Sequence, residues 1–179
     1  MIVQTLVNSI LLSGLYMVVA AGFSLIFGIL NVINLAHGAL IMVSAYLTYA
    51  LHVHAGIDPL LSIAVTGPVM YGVGYCLQNW VINRLDKRQG FMTLLMTYGV
   101  QIFLVNVLLF IWGGEYKAIT PLYSGYSFDL GGVIFPATKL LALALGVVSV
   151  FSLFGILKYT RFGNAIRATR MDLDAARLV

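Results

Sequence analysis

No aspartate, glutamate, lysine or arginine occurs before Asp58, so more than fifty consecutive residues carry no formal charge. A stretch of that length cannot cover itself with the polar side chains that a water-exposed surface needs. It suits a lipid solvent, where every backbone polar group must be satisfied within the protein and only helices or closed barrels can span. Barrel strands alternate apolar and polar residues, and that alternation is missing here, so helices remain. The rest of the chain agrees: of 179 residues 61% are apolar and only 9% charged, against roughly 25% charged in ordinary soluble domains. A soluble enzyme, a disordered tail and a secreted disulfide scaffold are all excluded; the single cysteine, Cys76, has no partner within the chain and indicates no redox compartment.

About 20 apolar residues cross the hydrocarbon core as a helix. Leu60 to Asn83, Gly90 to Trp112 and Thr138 to Leu157 each suffice, and the uncharged stretch before Asp58 holds two more spans. Between those two lies the locally polar, glycine-bounded sequence Gly28-Ile-Leu-Asn-Val-Ile-Asn-Leu-Ala-His-Gly38. The expected fold is therefore all-α and polytopic, with about five crossings, a broken helix near residues 28–38 and a C-terminal amphipathic helix. Residues 1–158 form the membrane domain and 159–179 a cytoplasmic region. Orientation follows from Lys and Arg in short loops. Residues 84–88 carry Arg84, Lys87 and Arg88 against Asp86, and the tail from Lys158 to Arg177 is also net positive. Two crossings separate these clusters, which places both in the cytoplasm and the N-terminus outside. Basic residues confined to two short loops read as topology signals, with no nucleic-acid partner implied.

The sequence offers no catalytic, cofactor or metal constellation. It has no Gly-x-x-x-x-Gly-Lys-Ser/Thr loop to cradle phosphate, no pair of carboxylates inside a span for acid–base work, and no metal-ligand spacing among His37, His52 and His54. Two other patterns carry information. The first is the break with Asn31, Asn34, His37 and Gly38. Either it is a plain cytoplasmic turn whose polar groups cap two helices, or it is irregular backbone inside the membrane, which transporters use to face a polar solute. An asparagine amide donates and accepts, which suits an uncharged or zwitterionic solute. The second is the tail after Gly163. Phe162, Ile166, Leu173 and Ala176 recur on one helical face, with Arg167, Arg170, Asp174 and Arg177 on another. Such a helix can lie on anionic lipid, form a solvated loop, or dock into a groove of a soluble partner; the spacing alone leaves these open.

Two stretches resemble the permease subunits of branched-chain amino-acid ABC transporters of the LivH type. One runs from Gly22 to Leu47 around the core Asn34-Leu-Ala-His-Gly38; the other runs from Thr160-Arg-Phe-Gly163 to Asp174-Ala-Ala176, with Asp174 where many such permeases carry Glu. In the ABC pattern a glycine follows the acidic-Ala-Ala after three further residues; here Arg177, Leu178 and Val179 fill that interval and the sequence stops. The resemblance thus implies a permease cut at its coupling loop. It further implies a transport subunit without enzymatic activity of its own in a bacterial inner membrane, paired with a second permease subunit, ATPase subunits and a periplasmic solute-binding protein. Phe162, Gly163, Ile166, Arg167, Asp174, Ala175 and Ala176 would contact the ATPase, and Asn31, Asn34, His37 and Gly38 would belong to the solute path. The competing expectation is a passive channel or facilitator for a small uncharged solute of the urea or amide type, and a weaker one is a structural membrane subunit.

Overall fold

The structure, a computed structural model, describes residues 2–30, 33–84, 90–161 and 163–166. Five helices in it are long and apolar enough to cross a membrane: α1 (Ile2–Leu30), α2 (His37–Ala55), α3 (Pro59–Trp80), α4 (Gly90–Trp112) and α5 (Ala137–Tyr159). The expected all-α polytopic architecture is observed. Most of their large apolar side chains face outward, Phe110, Ile2 and Tyr71 among them, and the buried apolar residues described are few: Leu11, Ala36, Ala39 and Leu108. Helices apolar all round find their solvent in lipid.

The chain divides into two compact units, residues 1–31 with 122–179, and residues 32–121. In the first unit α1 packs along α5. Gly14 and Gly146 make this possible: a Cβ on Gly14 would run into the Leu143 backbone, and one on Gly146 into the Gly14 backbone. Small residues let membrane helices approach at backbone distance, and Ala142-x-x-x-Gly146 is such a small-xxx-small face. One turn pattern along the same side of α1, Gln4, Asn8 and Leu11, completes the seam. Lys139 donates to Asn8 Oδ1 at 3.0 Å. The Gln4 amide pairs with both backbone groups of Ile134, donating to its carbonyl at 2.8 Å and accepting from its N–H at 2.9 Å.

Ile134 belongs to a hairpin that the sequence reading did not foresee: β1 (Ser127–Leu130) pairs antiparallel with β2 (Val133–Pro136), Leu130 opposite Val133. Its two-residue turn is Gly131-Gly132 at φ +64° and +82°, the left-handed pair that a tight hairpin turn requires. Asp129 accepts from the Gly132 N–H at 2.9 Å.

In the second unit α2 is central, packing against both α3 and α4. Gly56, at φ +64°, ends α2 with its N–H on the His52 carbonyl, a left-handed cap. Two residues later Asp58 starts α3, its carboxylate accepting from Leu60 N–H at 2.9 Å with Pro59 at the first helical position. This is an N-cap with a favourable charge at the positive end of the helix dipole. Both neighbours of α2 bury small hydroxyls: Ser62 and Thr66 on α3, and Thr93 and Thr97 on α4. Each pair is four residues apart, on one helical stripe.

Candidate functional site

The expected break between α1 and α2 is present and shorter than the glycines suggested. Gly28 to Leu30 still belong to α1, and His37 and Gly38 already open α2. Asn31 and Val32 lie outside the described residues. What remains, Ile33 to Ala36, is irregular backbone packed against α4.

Its depth follows from α4. Thr97 is the eighth residue of that helix, about 10 Å along the axis from Gly90 at 1.5 Å per residue. The segment it touches therefore lies within the length of a span. Amides that leave a helical ladder need other partners, and here the partners can be named. The Thr97 hydroxyl accepts from Leu35 N–H at 3.2 Å and donates to Leu94 O at 3.0 Å or to Ile33 O at 3.4 Å. Asn34 folds its side chain back so that Oδ1 accepts from Ala36 N–H at 3.0 Å. The His37 N–H donates to the Asn34 carbonyl at 3.3 Å. Asn34 is 8% exposed, Ala36 and Thr97 2% each. The polar groups of this segment are closed by Thr97 and by its own side chains. Beside it Asn34, Ala36 and Thr97 share a small cleft with Leu77, Val81 and Ile82 from the end of α3.

His37 is half-buried at the first turn of α2, and Gly38 is exposed; a Cβ on Gly38 would meet nothing within 4 Å. Asn34 and His37 are thus brought together, with Gly38 on the outer side of the same turn.

The second constellation begins where α5 ends. Thr160 leaves the helix at φ −100°, ψ 156°. Its hydroxyl donates to the Ile156 carbonyl at 2.6 Å and accepts from Gly163 N–H at 3.1 Å, and its carbonyl accepts from Asn164 N–H at 3.1 Å. Thr160 is therefore the N-cap of a new helical turn. Gly163 is buried against the α5 end, where a Cβ would collide with the Ile156 and Leu157 carbonyls. Ile166 is half-buried. Phe162, Arg167, Asp174, Ala175 and Ala176 lie outside the described residues.

Thr97 and Thr160 were not singled out from sequence. The available signals were two threonines at helical spacing on an otherwise apolar stripe, and a threonine three residues before a glycine. Among the described residues no group of three His, Cys, Asp or Glu side chains could hold a metal ion.

Comparison with known proteins now bears on this geometry. The profile of a family described as branched-chain amino acid transport system, permease component, matches residues 5–179. The high-affinity branched-chain amino acid transport system permease protein BraD of Pseudomonas aeruginosa is 27% identical over 188 residues, covering 98% of this chain and 61% of that protein. LivH proteins of the same description from Escherichia coli and Salmonella typhimurium are 27% and 26% identical, with the same coverage. The chain thus spans 61% of the length of these curated relatives. No solved structure matches it.

Proposed function

The chain belongs to the permease-component family of branched-chain amino acid transport systems, and from that premise we propose that it serves as a membrane-spanning subunit of an ATP-driven importer for branched-chain or related small amino acids. The observation that carries this reading is a family match running from residue 5 to residue 179, through both compact units. Five apolar helices supply the multi-pass membrane body.

In this reading a second permease subunit completes the solute path and ATPase subunits bind on the cytoplasmic side. A solute-binding protein delivers the amino acid from the periplasm across a bacterial inner membrane. Positive clusters at residues 84–88 and 158–179 face the cytoplasm, which puts the N-terminus outside. Residues 1–158 act as the permease body and 159–179 as the coupling region. Phe162, Gly163, Ile166, Arg167, Asp174, Ala175 and Ala176 receive the ATPase motion, and the Thr160 cap with buried Gly163 supports a stiff elbow through which α5 is moved. Asn31, Asn34, His37 and Gly38 belong to the path side, and the depth of the Ile33–Ala36 segment along α4 supports that role. Hydrolysis itself falls to the partner subunits.

The test is uptake of labelled leucine by proteoliposomes holding the whole transport system, with and without ATP and binding protein. The expected result is uptake that needs both, and that Ala175→Glu abolishes while membrane insertion is unchanged. Uptake that ignores ATP and binding protein would replace this reading with a passive facilitator.

A further inference from the structure

In the unit of residues 32–121, α3 and α4 both pack on α2. Between the end of α3 and the middle of α4 a groove of about 470 Å³ remains, open on its outer side. Along α4 it is lined by Met96, Gly99, Val100 and Phe103, the i, i+3, i+4, i+7 stripe of one helical face. That stripe runs for about 10 Å at 1.5 Å per residue. Gly99 hollows it, since the place of its missing Cβ is open space. Trp80 at the end of α3 and Phe103 stand 69% and 66% exposed beside it, so the opening is apolar. One lining residue differs in kind. Arg84 ends the α3 span and reaches the groove from the 3-10 turn Ile82–Arg84. Asn83 ties that turn back to the helix, accepting from Gln78 at 2.9 Å and donating to Asn79 Oδ1 at 3.0 Å. The arginine is thus carried on a fixed turn and is exposed. It has no carboxylate partner among the described residues, and no acid lines the groove.

We propose that this groove holds an anionic phospholipid, its phosphate on the Arg84 guanidinium and one acyl chain laid along Met96, Gly99, Val100 and Phe103 beside Trp80. A charge at the end of a span is costly unless it is answered or carried to the interface. A long arginine stem keeps its methylenes on apolar surface while the head stays at headgroup level, where the guanidinium fork matches phosphate oxygens in pairs. Basic pockets between membrane helices take anionic headgroups in this way, and tryptophan is at home at the same level. Charge complementarity selects among lipids. A choline or ethanolamine headgroup brings its own cation beside Arg84, and the lining offers no acid to receive it. The helix of another protein would cover the apolar stripe and still have to supply an acid for Arg84, whereas a lipid brings phosphate and chain in one molecule. The inference needs only the membrane body and stands whether or not the chain transports.

Trp80 reports the occupant directly, because brominated acyl chains quench a tryptophan that they touch. The full chain carrying Trp112→Phe, which leaves Trp80 as its single tryptophan, is placed in vesicles of phosphatidylcholine and phosphatidylglycerol, with bromine on the chains of one lipid or of the other. Phosphatidylglycerol should quench Trp80 as though enriched about fivefold over its share of the bilayer. Arg84→Met should bring that preference to about one. Arg84→Lys should keep a preference, which guards against misfolding as the explanation. Gly99→Leu fills the groove where a Cβ meets nothing within 4 Å, and should lower the preference with Arg84 in place. Arg161→Met, at an exposed basic residue of the other unit, should leave it unchanged. Equal quenching by the two lipids in the parent protein overturns the proposal, as does a preference that Arg84→Met leaves intact or that Arg161→Met removes equally. Quenching by neither lipid would mean that protein covers the groove, and overturns it too.

Discussion

Replacing Thr97 by valine tests whether one hydroxyl holds the broken segment in place. Valine keeps the shape of threonine, so no cavity opens, and Leu94 O remains in the α4 ladder. What is lost is the acceptor for Leu35 N–H at 3.2 Å and the donor shared with Ile33 O. Leaving a buried donor unpaired costs about 1–3 kcal/mol, while hydroxyl bonds between membrane helices measured in context average about 0.6 kcal/mol. Thr97 is 2% exposed and Leu35 half-buried, so water cannot easily replace the bond. The net cost should fall near 1–2 kcal/mol, a factor of about 5–30 in the opening equilibrium. Hydrogen-exchange mass spectrometry of the peptide covering residues 33–40, in nanodiscs, reads that factor directly. Thr97→Ser should exchange within about twofold of wild type, and peptides from α5 should not change in either variant. If Thr97→Val protects residues 33–40 as well as wild type does, the segment is held by something other than this hydroxyl.

Gly146→Leu should force α1 and α5 apart, since any Cβ there meets the Gly14 backbone. Overpacking of about 1–3 kcal/mol or more should appear as a lower melting temperature in detergent, whereas Gly28→Ala, where a Cβ meets nothing within 4 Å, should be neutral or stabilising. Thr160→Val removes the cap after α5, worth about 1 kcal/mol, and should speed tryptic cleavage after Arg161 several-fold, with Thr160→Ser restoring the wild-type rate. Glu115 holds the Lys117 ammonium above its ordinary value of 10.5 through a hydrogen bond and then its charge. A raised value means that the pair's contribution is fully present below 10.5 and is lost only as pH rises through the higher folded value. Any part of the stability that this pair carries should therefore be flat from about pH 6 to 9; a melting temperature in detergent that moves within that interval reports another group.

The spans were legible because length and apolarity alone decide them. Leu60 to Asn83 and Gly90 to Trp112, read from composition, differ from α3 and α4 by no more than a few residues. The break was legible in kind and not in extent: glycines at 28 and 38 suggested its edges, yet Gly28 to Leu30 still pair within α1 and His37 and Gly38 within α2, leaving Ile33–Ala36 irregular among the described residues. The hairpin was missed although Gly131-Gly132 between short alternating runs is a hairpin signal; four-residue strands are too short to stand out beside spans of twenty. Glycine was the least readable residue. Gly67, Gly72 and Gly74 sit close together in one span, yet a Cβ on any of them meets nothing within 4 Å, whereas one on Gly14 meets a neighbouring backbone. Whether a small residue is needed depends on the opposing helix, which no local pattern reveals. Thr97 and Thr160 escaped for the same reason: a hydroxyl's role is set by its partner.

Those two threonines solve one physical problem in the same way. At the break Thr97 reaches Leu94 O of its own helix and receives Leu35 N–H from the irregular segment. At the elbow Thr160 reaches Ile156 O of the helix just ended and receives Gly163 N–H of the turn just begun. Each hydroxyl spends its hydrogen on a carbonyl of its own helix and offers its lone pair to an amide that has left the regular ladder. Water would do this at a soluble loop. At the buried Thr97 a charged side chain would have to be desolvated at a cost of several kcal/mol, and a larger amide such as asparagine brings a second polar end that itself needs a partner. A threonine adds one donor and an acceptor oxygen in a single small group, and its methyl group remains compatible with apolar neighbours. At Thr97 and Thr160 alike, the polar groups that leave the regular ladder are satisfied by a hydroxyl of the fold itself.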